Sequence, residues 1–185
     1  MKWFDYYLQK RRFETAGRQI TPRSSLLDIG CNGGEFFLYL EDKEIFGTGI
    51  DPDAESIISR LPPDVSLIKE AFPSKQLIGR KYDFISVLAV FEHIQKDDQK
   101  NFAEACYQLL SDNGKLIITV PSPFVDQILY ILRFFRLIHA MSLEQHYGFN
   151  PRHIGPLFYK AGFKLVLHKK FELRLNNIFV FAKNN

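Results

Sequence analysis

One stretch constrains this chain more than any other: "LLDIGCNGGEFFLYL", Leu26 to Leu40. An apolar run closes on Asp28 and Ile29. A cluster of small residues follows, and a second apolar run begins at once. The first run has the length and composition of a buried strand, and the second those of a helix. Glycine between them lets the backbone take unusual dihedrals and lets a ligand come close. A helix that starts there presents unpaired N–H groups to whatever lies at the strand's end. Asp51 follows 21 positions beyond Gly30, at the end of the next apolar run. A carboxylate so placed suits the hydroxyls of a ribose.

The rest of the chain repeats the rhythm. Strand patterns at 25–30, 45–53, 65–71, 82–91 and 115–121 are separated by helix-length segments at 34–43, 54–61 and 99–110, with a turn at "SDNG" (111–114). A helix over 3–19, rich in aromatic and basic residues and closed by Gly17, precedes them. Such alternation predicts an α/β fold with a doubly wound, mostly parallel sheet. Beyond Pro123 the pattern changes to a long apolar helix (124–141), a further helix (150–162) and a final strand pair. The chain reads as a single domain, 1–185, with an N-terminal helix (1–19) and a helical insertion (122–150) after the fifth strand.

Composition narrows the class. The 185 residues are 46% hydrophobic, enough for one sizeable core. A formal net charge of +3, with no basic block beyond "QKRRF", does not argue for nucleic acid. Two cysteines, Cys31 and Cys106, make neither a disulfide framework nor a zinc signature. No apolar signal core opens the sequence, and no run of about 18 uninterrupted apolar residues predicts a membrane span. A cytoplasmic location is expected, with no nucleic-acid partner; the oligomeric state is unassigned.

The loop also discriminates between nucleotides. A dinucleotide fingerprint needs G-x-G-x-x-G, and from Gly30 this chain has Asn32 and Glu35 at the second and third glycine positions. A phosphate-cradling loop would need a lysine where Glu35 stands. A carboxylate at 35 is a poor neighbour for a pyrophosphate, so an adenosine derivative without phosphates is the better ligand. A nicotinamide-dependent oxidoreductase is the alternative these features disfavour. A non-catalytic cofactor-binding relative acting as a partner subunit is the other alternative.

With these motifs in order, the sequence resembles a class I S-adenosylmethionine-dependent methyltransferase, and is similar to the small-molecule subgroup that includes the ubiquinone-biosynthesis O-methyltransferases. "LLDIGCNGGEF" matches L-D-x-G-C-G-x-G-x-F. "GIDPD" (49–53) matches the acidic end of the second strand. "YDFISVLAVFEHI" (82–94), "LLSDNGKLIITVPSP" (109–123) and "AGFKLV" (161–166) match the later motifs. The resemblance implies a Rossmann-like seven-stranded sheet with an antiparallel last strand. It implies that Asp28, Gly30, Asn32 and Gly34 surround the methionyl part of S-adenosylmethionine. Asp51 would hold the ribose, with Pro52 near the adenine. Glu70 and Ala71 would contact the adenine, and Leu88 and Ala89 would line the sulfonium end. Asn32 replaces the family's middle glycine, but Asn tolerates left-handed backbone well.

The chemistry then needs a nucleophile held in line with the S–CH3 bond, and an alcohol or phenol benefits from a general base. His93, in the E-H-I tail, and His146, after the insertion helix, are the candidate bases; His93 equally fits a structural role. Some relatives bind a divalent metal through Glu-x-x-Glu-His, but Ala89 stands where the first Glu belongs, so no metal is expected. Arg11, Arg12 or Tyr6 of the first helix either reach the cofactor carboxylate or the substrate, or lie on an amphipathic surface helix. Helix 124–141 has arginines on one side and a wide apolar face on the other. It reads as a packed lid or as a membrane-surface helix serving a lipid-linked acceptor. The expected acceptor is a small molecule or a lipid-linked precursor, methylated at oxygen.

Overall fold

The computed structural model describes residues 3–54, 61–122 and 150–184. The expected helices at 54–61 and 124–141, and His146, fall wholly or largely outside them.

The chain opens with α1 (Trp3–Gly17) and alternates through β1 (Ser25–Ile29), α2 (Glu35–Tyr39), β2 (Phe46–Ile50), β3 (Val65–Ile68), β4 (Tyr82–Leu88), α3 (Gln99–Leu109), β5 (Leu110–Pro121), α4 (Ile154–Lys160), β6 (Phe163–Phe171) and β7 (Asn176–Lys183). The seven strands form one sheet in the order β3-β2-β1-β4-β5-β7-β6. Pairings from β3 to β5 are parallel, and β7 runs antiparallel between β5 and β6. This is the expected architecture.

Period-2 alternation explains the layers. Leu26, Phe84, Ile117 and Val180 point to one face and pack with Phe36, Phe37 and Ala16 of α2 and α1. Leu27, Ile85, Leu116, Ile118 and Phe181 point to the other and pack with Phe102 and Cys106 of α3 and Phe158 of α4. Because the strand order reverses direction at β1, its carboxyl end and that of β4 flank a crevice.

Several boundaries differ from those read in the sequence. The helix expected at 34–43 is a short α2 followed by a separate 3-10 turn, Glu41–Lys43. The third strand stops at Ile68 and the fourth at Leu88, short of the ends expected for them. The "SDNG" segment does not separate two elements. Leu110 already pairs with Tyr82 and Lys115 with Phe84, so residues 111–114 form an irregularity inside β5. Turn chemistry alone misplaced the strand's start, because pairing on both sides outweighed it. Among the described residues, no helix is long and apolar enough to cross a membrane.

Candidate active site

The loop after β1 is built from backbone conformations that its sequence permits. Gly30 takes φ 77°, Asn32 φ 46° and Gly34 φ 87°. A Cβ on Gly30 would lie 2.2 Å from Val90 Cγ2, so the position has neither the dihedral nor the space for a side chain. The Gly30 N–H donates to Ile50 O at 2.8 Å, and the Gly34 N–H to Cys31 O at 2.8 Å, closing the turn into α2.

Two carboxylates fasten this loop. Asp51 Oδ2 accepts the Asn32 N–H at 3.1 Å, while its Oδ1 accepts the Asp53 N–H at 2.8 Å. Glu35, the first residue of α2, accepts from the Gly33 N–H at 3.1 Å and from Asn32 Nδ2 at 3.2 Å. Asn32 thus fits the left-handed position and contributes a side-chain contact that the family's glycine cannot make. A carboxylate at 35 consumes loop donors that a phosphate would need.

Asp28 lies beneath, 4% exposed, and accepts from Ser86 Oγ of β4 at 2.6 Å. Burial pushes its carboxyl up to about 7. The Ser86 hydrogen bond opposes the rise, and the charges of Glu35 and Asp51 add to it. Two carboxylates, Asp28 and Glu35, therefore line one small cleft, and Asp51 is bonded to its loop.

The cleft is walled by Asp28, Gly30, Cys31, Asn32, Glu35 and Phe36 on the sheet side, with Leu88 from the end of β4. α1 contributes Gln9, Arg12 and Phe13 to the same lining. Phe13 fixes the helix there, its ring centroid 5.0 Å from Phe36 and 5.7 Å from Tyr39. At the helix's carboxyl end, Lys43 Nζ donates to Gly17 O at 2.7 Å and to Ile20 O at 2.5 Å. Of the three α1 residues singled out in the sequence, Arg12 lines the cleft. Tyr6 is largely exposed.

The structure brings Asp28, Gly30, Asn32 and Leu88 together on this wall, with Asp51 bonded to the same loop. Gly34 stands behind it as the residue preceding α2, and Pro52 is exposed beyond Asp51. Ala89 takes φ 58° as the chain leaves β4, and its N–H donates to Thr119 O at 3.0 Å. Glu70 and Ala71 lie past β3 and are exposed. The Glu70 carboxylate accepts from Ser74 Oγ and Gln76 Nε2, which hold it low in the carboxylate range. His93 ends a 3-10 turn whose Phe91 packs into the α3 face, away from the α1 wall. The sequence reading missed Gln9, Phe13 and Cys31 as lining residues. The aromatic content of the first helix was the one available signal.

Comparison with known proteins supplies the family. A family model described as "Methyltransferase domain" matches residues 3–168. The chain belongs to the methyltransferase domain family. That match is coarser than the ubiquinone-biosynthesis subgroup, and it agrees with the class I S-adenosylmethionine-dependent enzyme expected from the motifs. A search of curated proteins finds no match.

Among solved structures, this methyltransferase domain superposes with a TM-score of 0.74 on the 1,6-didemethyltoxoflavin-N1-methyltransferase of Burkholderia thailandensis, solved with 1,6-didemethyltoxoflavin and S-adenosylhomocysteine. The two are 14% identical, over 99% of this chain and 81% of that one. The PH0226 protein of Pyrococcus horikoshii superposes with a TM-score of 0.69 at 16% identity, covering 96% and 91%. A cyclopropane synthase of Mycobacterium tuberculosis gives 0.65 at 19% identity, covering 87% and 62%. At such identities the likeness is one of fold.

Proposed function

We propose that this methyltransferase binds S-adenosylmethionine in the cleft between β1, β4 and α1 and methylates a hydroxyl of a small or lipid-linked acceptor. The observation that carries the reading is the charge of the walls. Asp28 and Glu35 line the cleft, Asp51 is bonded to the same loop, and Arg12 of α1 contributes a positive charge to the lining. S-Adenosylmethionine has a cationic sulfonium, a cationic amine and one carboxylate, and no phosphate. Its charges complement these walls, whereas a pyrophosphate would meet Asp28 and Glu35 with Asp51 close by.

The residues present fit such a ligand. Asp51 accepts two backbone N–H groups, and each of its oxygens retains acceptor capacity for a ribose hydroxyl. Gly30 gives the methionyl chain a wall without a side chain, while Asn32 and Gly34 shape the loop around it. Asp28 faces the amine and Arg12 the carboxylate. Leu88 and Ala89 bound the sulfonium end; Pro52, Glu70 and Ala71 mark the adenine end. When bound, the cofactor supplies a sulfonium methyl open to in-line attack. The protein's own task is to fix the donor, exclude water and hold the nucleophile at near-attack distance.

Calorimetric titration with S-adenosylhomocysteine, with NAD as control, tests the reading. Micromolar binding of the former alone, weakened at least about tenfold in Asp51→Ala, is expected. Binding of NAD, or equal affinity in the variant, would overturn it.

A further inference from the structure

Beyond Leu88, the sheet face that carries α1 holds a second group of polar side chains. Thr119 of β5 stands opposite Leu88 of β4 and Ile178 of β7. Cross-strand neighbours share a face, so Thr119 points with Leu88 toward the α1 side. It is fully buried, and its Oγ1 has no hydrogen-bond partner among the described residues. Asn176, opposite Pro121, lies on the same face one strand further. Its Nδ2 donates to Glu172 Oε2. The other oxygen, Glu172 Oε1, is buried and has no hydrogen-bond partner among the described residues.

The placement is held firmly. Glu172, Leu173 and Arg174 take φ of 50°, 54° and 72°, an unusual run for residues with side chains. Ser122, at the end of β5, pins that turn. Its N–H donates to Leu175 O at 2.7 Å and its Oγ to Arg174 O at 2.7 Å. Arg12, which lines the cofactor cleft, acts electrostatically on Glu172. Two buried polar atoms without partners among the described residues, next to the Leu88 edge of the cleft, call for a ligand that completes them.

We propose that Thr119, Asn176 and Glu172 form the acceptor subsite, and that Glu172 Oε1 receives the nucleophile's proton. The proposal rests on the methyl-transfer reading above. The acceptor oxygen forms a bond to the methyl carbon as the carbon–sulfur bond breaks. That electron pair stays on sulfur, leaving a neutral thioether, and the hydroxyl proton passes to the Glu172 carboxylate. Burial strengthens that carboxylate as a base; the Asn176 hydrogen bond and the charges of Arg12 and Arg11 oppose this. Leu88 and Phe171 give the subsite an apolar margin. The acceptor class is therefore an uncharged hydroxyl compound on an apolar frame, and an anionic one is repelled by Glu172.

The test uses the full chain, with and without S-adenosylhomocysteine, and phenol as the probe. Side-chain NMR signals are followed during titration, with benzoate as control. Phenol is expected to shift the Thr119 methyl and the Asn176 amide saturably, and benzoate to shift neither. Affinity should rise from p-cresol through phenol to p-chlorophenol, because a carboxylate binds a more acidic hydroxyl better. In Glu172→Gln that trend disappears and phenol binds about tenfold more weakly, while S-adenosylhomocysteine still binds. Thr119→Val weakens phenol yet raises the melting temperature, since it removes an unpaired hydroxyl. Failure of phenol to move Thr119 and Asn176, or an unaltered acidity trend in Glu172→Gln, would overturn the subsite. Failure of S-adenosylhomocysteine alone would count against the cofactor reading instead.

Discussion

Gly30 shows how tightly single residues are constrained here. Its φ of 77° and the 2.2 Å approach of Val90 Cγ2 to an added Cβ leave no relaxed arrangement for alanine. Gly30→Ala should cost about 1–3 kcal/mol of stability and weaken S-adenosylhomocysteine at least about tenfold, read from urea unfolding and calorimetry. A variant as stable and as tight as the parent would mean that the loop shifts freely. This position was legible in the sequence because a glycine between strand and helix has few other uses. Asp51 was legible by its distance along the chain. Thr119 and Glu172 were not: their meaning lies in which strands pair and in the partners they lack, and no local pattern carries either. Glu70 sits in a setting that the local pattern did not show. The strand that should have aimed it stops at Ile68, and the carboxylate is taken up by Ser74 and Gln76.

Among the elements, α1 does what its pattern alone could not announce. A helix over 3–19 could be read from the residues, but its docking could not, because its aromatic and basic residues do not sort into one apolar stripe. Docking comes from Phe13 against Phe36 and from Lys43 closing the last turn. It places Arg12 in the lining of the cleft that holds Asp28. Arg12→Ala should therefore weaken S-adenosylhomocysteine about tenfold but leave 5′-methylthioadenosine, which lacks the amino-acid carboxylate, unchanged. Parallel calorimetric titrations of the two nucleosides decide it. Equal losses for both would show that Arg12 orders the helix and does not touch the carboxylate.

At the scale of the whole molecule, strand order sets the electrostatics. By putting β1 between β2 and β4, the sheet buries Asp28 against Ser86 and brings Glu35 and Asp51 beside it. Alternation of strands and helices made this sheet legible, whereas the burial of one particular carboxylate needed the finished fold. The consequence is a pH dependence with a definite sign. Unfolded, Asp28 titrates near its ordinary 3.8; folded, at about 7. Between those values the native state holds a proton that the unfolded state has released. Stability from this group is therefore complete at low pH and falls as pH rises through the window, levelling above about 7. A shift of this size corresponds to about 4 kcal/mol across the window. Urea unfolding from acid to mildly alkaline pH should show the difference between Asp28→Asn and the parent growing in the variant's favour as pH rises. Ligand binding should reverse the proton's preference. A cationic amine beside Asp28 favours the ionised form, so S-adenosylhomocysteine should expel up to one proton in slightly acidic solution. Its measured binding heat should then differ between buffers of unlike ionisation enthalpy, and the difference should vanish in Asp28→Asn. Heats independent of buffer in the parent would mean that the amine is held elsewhere and Asp28 keeps its proton.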